Sequence, residues 1–200
     1  MQVRPARPGD EDTIVAMSRR VQEHLTASGS LQQFGPIPRD TVAAHVAAGN
    51  AHVLVADVAG GPLPGSVFVE PEWAQVTPDL MRIFVALQLP SSHAPRWWLQ
   101  KLMIEPERQG QRLGHILLAG VRRHVAVLGG GTVLLDCWAG NAKLRAFYLE
   151  AGFQFHGEFA GEGYDVAAFT WTAPTAATAR QDVLPGDCSR AAAAERSEVN

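Results

Sequence analysis

Apolar residues recur at helical spacing twice along the chain. Ile14, Met17, Val21 and Leu25 predict a helix that ends near Ser28-Gly29, with Asp10 as its cap and Glu11 and Asp12 in its first turn. Leu113, Ile116, Leu117, Val121, Val125 and Leu128 predict another from Gly110 to Leu128, stopped by Gly129-Gly130-Gly131. A shorter helix is expected from about Arg39 to Ala48, closed by Gly49-Asn50, and a last one from Ala142 to Ala151, capped by Asn141 and stopped by Gly152.

Between these segments the pattern is that of strands. A short first strand lies around Val3, and AHVLVAD (51–57) and SVFVE (66–70) flank VAGGPLPG, whose glycines and prolines predict an antiparallel hairpin. WWLQKLMI (97–104) and TVLLDCW (132–138) enclose the 110–128 helix, which makes a βαβ unit with an expected right-handed crossover. Strands around Phe153 to Phe155 and Val166 to Trp171 finish the pattern. Residues 71–95 mix prolines with an apolar run and read as a strand or partial helix between irregular loops. Hairpin signals ahead of a single βαβ unit predict an α/β fold: a strongly twisted, mixed sheet of about six or seven strands flanked by about four helices.

Length and composition narrow this picture. The chain's 200 residues suit one domain, expected over 1–172. The stretch from 173 to 200 is rich in Ala, Thr and Pro with almost no large apolar residue, so it reads as a mobile tail that cannot offset its ordering entropy. Apolar residues make up 46% and charged residues 18%, as in a globular protein. A net charge of -3 offers no basic stripe for nucleic acid, and no apolar stretch is long enough to span a bilayer. The N-terminus lacks the apolar core of a signal peptide, and two cysteines make no disulfide framework, so a reducing compartment, the cytoplasm, is expected. The seven histidines show no HExxH pattern and no cysteine pair nearby, so no metal site is expected.

Chemistry is suggested first by ERQGQRLGHILL (107–118), where glycines, an arginine and glutamines run directly into a helix. The first amides of such a helix lack internal partners and carry partial positive charge, which makes an anion site. Gly110 and Gly114 remove side chains that would hold a diphosphate away, and Gln109 and Arg112 add donors at the rim. The dinucleotide fingerprint GxGxxG and the Walker GK[ST] are both absent from this turn.

Gln109, Gly110, Gln111, Arg112, Leu113 and Gly114 resemble the pyrophosphate loop of the GNAT superfamily of acyl-CoA-dependent N-acyltransferases, with Arg112 where glycine is usual. NAKLRAFYLEAGF (141–153) resembles the family's later motif, in which an asparagine caps a helix, an aromatic-Tyr pair faces inward and Gly-Phe opens the next strand. The resemblance covers most of residues 1–171 and is specific over 97–153. It implies a splayed pair of parallel central strands, with pantetheine in the slot against main-chain groups of Leu102, Met103 and Ile104. It also implies diphosphate at Gln109 to Gly114 and His115, and Asn141 as either a cofactor ligand or simply a helix cap.

The resemblance further implies acetyl-CoA as cosubstrate and an amine as acceptor, in a protein that is a monomer or homodimer. The amine attacks the thioester directly, and Tyr148 stands where many members hold a general acid for the departing thiolate. The same tyrosine would also complete a packed stripe with Leu144, Phe147 and Ala151. Many relatives carry a glutamate in the strand before the loop, whereas WWLQKLMI has none. Glu105 and Glu107 lie at its end, and Glu70, Glu72, His93, Asp136 or a relaying water are then the candidates for the base. Cys137, mid-strand with no adjacent histidine, reads as an inert buried thiol. The absent glutamate leaves a noncatalytic acyl-CoA-binding or sensing module as the alternative to an N-acetyltransferase.

Overall fold

The computed structural model describes residues 1–32, 34–56, 61–71, 95–161 and 163–173. Seven strands form one sheet in the order β1-β2-β3-β4-β5-β7-β6. They are β1 (Gln2–Pro5), β2 (Ala51–Val55), β3 (Gly65–Pro71), β4 (Arg96–Ile104), β5 (Gly131–Trp138), β6 (Gln154–Ala160) and β7 (Asp165–Ala173). Every neighbouring pair is antiparallel except β4 and β5, which are parallel. Four α-helices accompany the sheet among the described residues: α1 (Glu11–Ala27), α2 (Arg39–Ala47), α3 (Leu113–Val127) and α4 (Ala142–Glu150). None of them is long and apolar enough to cross a membrane.

Strand alternation sorts the core into two layers. Val53, Phe68 and Met103 pack with Ile14, Met17 and Val21 of α1 and Val42 and Val46 of α2. Leu54, Val67, Val69, Leu99, Val133, Leu135, Cys137 and Phe169 pack on the other face with Leu113, Leu117, Val121 and Val125 of α3 and Tyr148 and Ala151 of α4. Ile14, Met17, Leu117 and Val125 are fully buried, each of a kind that stabilises by about 1.5–3 kcal/mol when taken out of water. The helical spacing of α1 and α3 therefore marks real core stripes.

Several boundaries differ from the sequence reading, each for a local reason. Asp10 does not cap α1 with its side chain; its carboxylate accepts from Arg4 at 2.7 and 3.2 Å and from the Arg7 amide at 2.8 Å. The helix expected from Gly110 begins at Leu113, because Gly110 and Arg112 both have positive φ, at 78° and 58°. β6 is longer than the expected 153–155: it is an edge strand of mostly exposed residues, with a register irregularity between Phe155 and Gly157, and so shows little apolar alternation. Most of the expected 71–95 segment and the 174–200 tail lie outside the described residues, although β7 itself runs to Ala173.

Candidate active site

β4 and β5 pair only at Arg96, Trp97 and Trp98 with Thr132, Val133 and Leu134, although β4 continues to Ile104 and β5 to Trp138. The cause lies in β4. Between Ser66 and Phe68 the β3 strand advances two residues while its partners move from Met103 to Gln100, three residues on β4. Lys101 sits inside that step with φ 52°, in the left-handed region that residues other than glycine seldom adopt. Such a bulge bends the strand and strengthens its twist, so β4 leaves β5 at Leu99. What opens is a slot whose walls are residues 99–104 on one side and 135–138 on the other.

The chain turns at the end of this slot through a single 3-10 turn, Pro106–Arg108, into the start of α3. Among the described residues the amides of Gly110, Gln111, Arg112, Leu113 and Gly114 find no acceptor, and the His115 amide reaches only Arg112 O at 3.1 Å. Arg108 Nε donates to Gln111 Oε1 at 3.0 Å and Gln109 Nε2 to Ile104 O at 3.5 Å, which holds the turn against the end of β4. Five acceptor-free amides at a helix N-terminus are groups that can hold an anion.

The two glycines of the turn have different jobs. A Cβ on Gly110 would meet nothing within 4 Å, so its need is conformational, φ +78°. A Cβ on Gly114 would come to 2.9 Å from the Phe147 ring, so the bare Gly114 also lets α4 pack against α3. His115 meets the same ring edge-on, with centroids 4.8 Å apart. Arg112 holds the left-handed position at which a non-glycine residue costs about 1 kcal/mol or more. Arg112→Gly is expected to raise stability by roughly 0.5–1 kcal/mol net of glycine's extra unfolded-state freedom, read as a higher melting temperature.

On the α3/α4 face, Asn141 Oδ1 accepts from the Leu144 amide at 3.0 Å, which is the capping role. One turn on, Tyr148 is buried against Phe147, Phe153 and Phe169, with ring centroids at 5.1, 5.7 and 5.6 Å. Burial raises its pKa well above the ordinary phenol value, and the charges that Cys137 and Asp136 can carry raise it further. The phenol therefore stays protonated near neutral pH. Cys137 is buried and its thiol is pushed up to about 12, as an inert thiol should be.

Asp136 is the carboxylate that the fold brings to the slot. It alternates with Leu135 and Cys137, so it faces the α1/α2 side, two residues past the last β4 pairing. Burial lifts its pKa to about 6 against a smaller opposing pull from Lys101. The other described carboxylates are engaged elsewhere or open to solvent. Glu105 is held by Arg20 at 2.9 and 2.5 Å, and Glu107 is exposed on the 3-10 turn. Glu70 is buried, accepts from Gln100 and has His45 Nδ1 at 3.8 Å, so it faces α2. Glu72 and His93 lie outside the described residues.

Lys101 is the site residue that sequence reasoning missed. Its Nζ donates to Phe34 O at 2.8 Å and lies 4.9 Å from the centroid of the Phe34 ring, tying the α1–α2 loop to the bulge. A charged residue in the middle of the otherwise apolar run WWLQKLMI was the available signal.

Residues 65–153, which contain β3 to α4 and so the whole slot and turn, match the sequence model of the acetyltransferase (GNAT) family. Over those residues the chain is similar to a GNAT acetyltransferase domain. No sequence among the curated proteins matches it. Among solved structures, a GNAT-family acetyltransferase of Streptococcus agalactiae superposes with a TM-score of 0.67 at 17% identity, covering 87% of this chain and 96% of that one. The ribosomal-protein-S18-alanine N-acetyltransferase of Escherichia coli gives 0.57 at 17% identity, covering 88% and 95%. The yncA protein of Salmonella typhimurium, solved with its cofactor acetyl-CoA, gives 0.59 at 14% identity, covering 86% and 94%. These identities speak to the fold. The split parallel pair and the amide-lined turn lie inside the matched GNAT segment, and the family supports acyl transfer as its chemistry in general.

Proposed function

We propose that this GNAT-like domain moves an acetyl group from acetyl-CoA to a primary amine of a small molecule or peptide, by direct attack in a ternary complex. The observation that carries the reading is the parting of β4 from β5 after Trp98, with the acceptor-free amides of Gly110 to Gly114 at the end of the gap; Tyr148 and Asp136 are assigned to it as acid and base. The amides of Gly110 to Gly114 hold the diphosphate, with Gln109, Gln111, Arg112 and His115 at the rim. The free edge of β4 at Leu102, Met103 and Ile104 pairs with the pantetheine amides. Leu102 and Ile104 pack toward one core layer and Met103 toward the other, so the contact is the backbone's. Asn141 acts in this reading through the helix that it caps, by fixing the start of α4.

Asp136 takes the proton that the amine loses as its nitrogen attacks the thioester carbonyl. A C–N bond forms, the C–S bond breaks, and Tyr148 gives its proton to the departing thiolate. Acetyl-CoA in the Salmonella structure and the amine acceptors named for the Escherichia coli alanine N-acetyltransferase and for an agmatine N-acetyltransferase of the same fold support the choice of donor and acceptor class. The proposed setting is the cytoplasm, as a monomer or homodimer, with no metal, nucleic acid or membrane involved. The proposed catalytic unit is residues 1–172.

The test is acetyl-CoA turnover with a panel of small amines and peptide N-termini, read as the mass of one added acetyl group. CoA binding without turnover on any amine would favour the noncatalytic module. Gly110→Asp puts a carboxylate into the turn, where like charges about 4 Å apart repel by about 1–4 kcal/mol. CoA affinity by calorimetry is expected to fall at least about tenfold, and by more than in Arg112→Ala. Equal affinity of Gly110→Asp and the unaltered chain would remove the anion site.

A further inference from the structure

Resting on the acetyl-transfer reading, we propose that Lys101 is itself an acetyl acceptor, modified by its own chain when acetyl-CoA is present and no external amine occupies the site. Lys101 stands at the bulge that opens the slot, on the stretch of β4 that faces β5 without pairing to it. Its amine is directed to the α1–α2 side of the sheet, where Phe34 O receives it at 2.8 Å, and Asp136 faces that same side from β5. An acceptor amine that is to lose its proton to Asp136 must approach from there.

The amine is lightly held. One carbonyl and one ring face are its contacts among the described residues, and no ion pair fixes it. Rotation about the lysine stem releases Phe34 O for the loss of one hydrogen bond. Burial also lowers the pKa of Lys101, so more of the neutral amine is present than for a surface lysine. The ordinary use of a half-buried lysine is to snorkel toward water, but this one ends under a loop, at the wall of the slot.

The step balances without any further reactant. Lys101 Nζ attacks the thioester carbonyl carbon, a C–N bond forms and the C–S bond breaks. The amine proton passes to Asp136, and Tyr148 protonates the CoA thiolate. The products are Nε-acetyl-Lys101 and free CoA. The new amide is neutral, so it withdraws the positive charge that opposes the rise of the Asp136 pKa.

The sequence makes the test clean, because Lys101 and Lys143 are its only lysines. Lys143 is exposed on α4 and is the one that uncatalysed acetylation would favour. The full-length chain is incubated with acetyl-CoA alone, and the two lysines and the N-terminal amine are followed by peptide mass mapping. Lys101 is expected to be acetylated at least about tenfold faster than Lys143, since acid–base assistance typically contributes about 10²–10⁴-fold. Asp136→Asn and Tyr148→Phe should remove that advantage and leave the Lys143 rate unchanged. Equal or faster modification of Lys143, or an unchanged Lys101 rate in both variants, would overturn the proposal. So would an unmodified Lys101 in a preparation that acetylates an external amine, and in that case the functional reading stands. Failure to bind CoA at all would sink both.

Discussion

Tyr148→Phe is expected to lower acetyl transfer by about 10²–10⁴-fold while leaving the fold intact, because it removes the donor that protonates the thiolate and nothing else. The ring keeps its neighbours Phe147, Phe153 and Phe169. The stability loss should not exceed the roughly 0.5–1.5 kcal/mol of one hydrogen bond, and CoA affinity should change less than about tenfold. Steady-state rates on any accepted amine, with melting temperature alongside, separate the outcomes. Near-normal turnover would reduce Tyr148 to packing and leave the thiolate to water. Lost turnover together with a collapsed melting temperature would make the hydroxyl structural.

Asp136→Asn is the second large effect, and its signature is in pH. A base works as the carboxylate, so kcat/KM of the unaltered chain should rise with pH through about 6 and level off above it. Lys101 from β4, Tyr148 from α4 and the adjacent Cys137 are the titratable groups around Asp136, and Ala168 is its neighbour on β7. Burial lowers the Lys101 pKa and raises those of Cys137 and Tyr148, and Asp136 is lifted to about 6. Asp136→Asn should lose the limb and fall by about 10²–10⁴-fold. Stability moves the opposite way. A carboxyl whose pKa is raised by the fold is most stabilising when protonated, so the unaltered chain should lose stability between about pH 4 and pH 6, and Asp136→Asn should not. An unchanged limb in the variant would assign the proton to another group.

What lay in the sequence alone was set by interactions spanning a few residues. The stripe of Leu113, Leu117, Val121 and Val125 gives α3 its buried face whatever packs against it. Asn141 caps α4 and Gly49, Gly129 and Gly152 end helices at positive φ, because the backbone there answers to its own residue. The glycine turn and the Asn-to-Gly-Phe stretch were legible for the same reason, and the turn does leave its amides without acceptors.

The chemistry needed distances that no local pattern contains. β7 lies between β5 and β6, and β4 runs parallel to β5 for three residues before leaving it, as a result of a register step against β3. Gly114 proved to be a packing residue only once Phe147, 33 positions along by the two residue numbers, was in place. Asp136, one of several equal carboxylates in the sequence, is set apart only by lying where the strands part, and Lys101 by lying at a bulge with its amine under Phe34. Helix periodicity and turn chemistry are short-range and repeat wherever the residues do. A slot exists only where two strands disagree in register, and that is decided by everything packed on both of them.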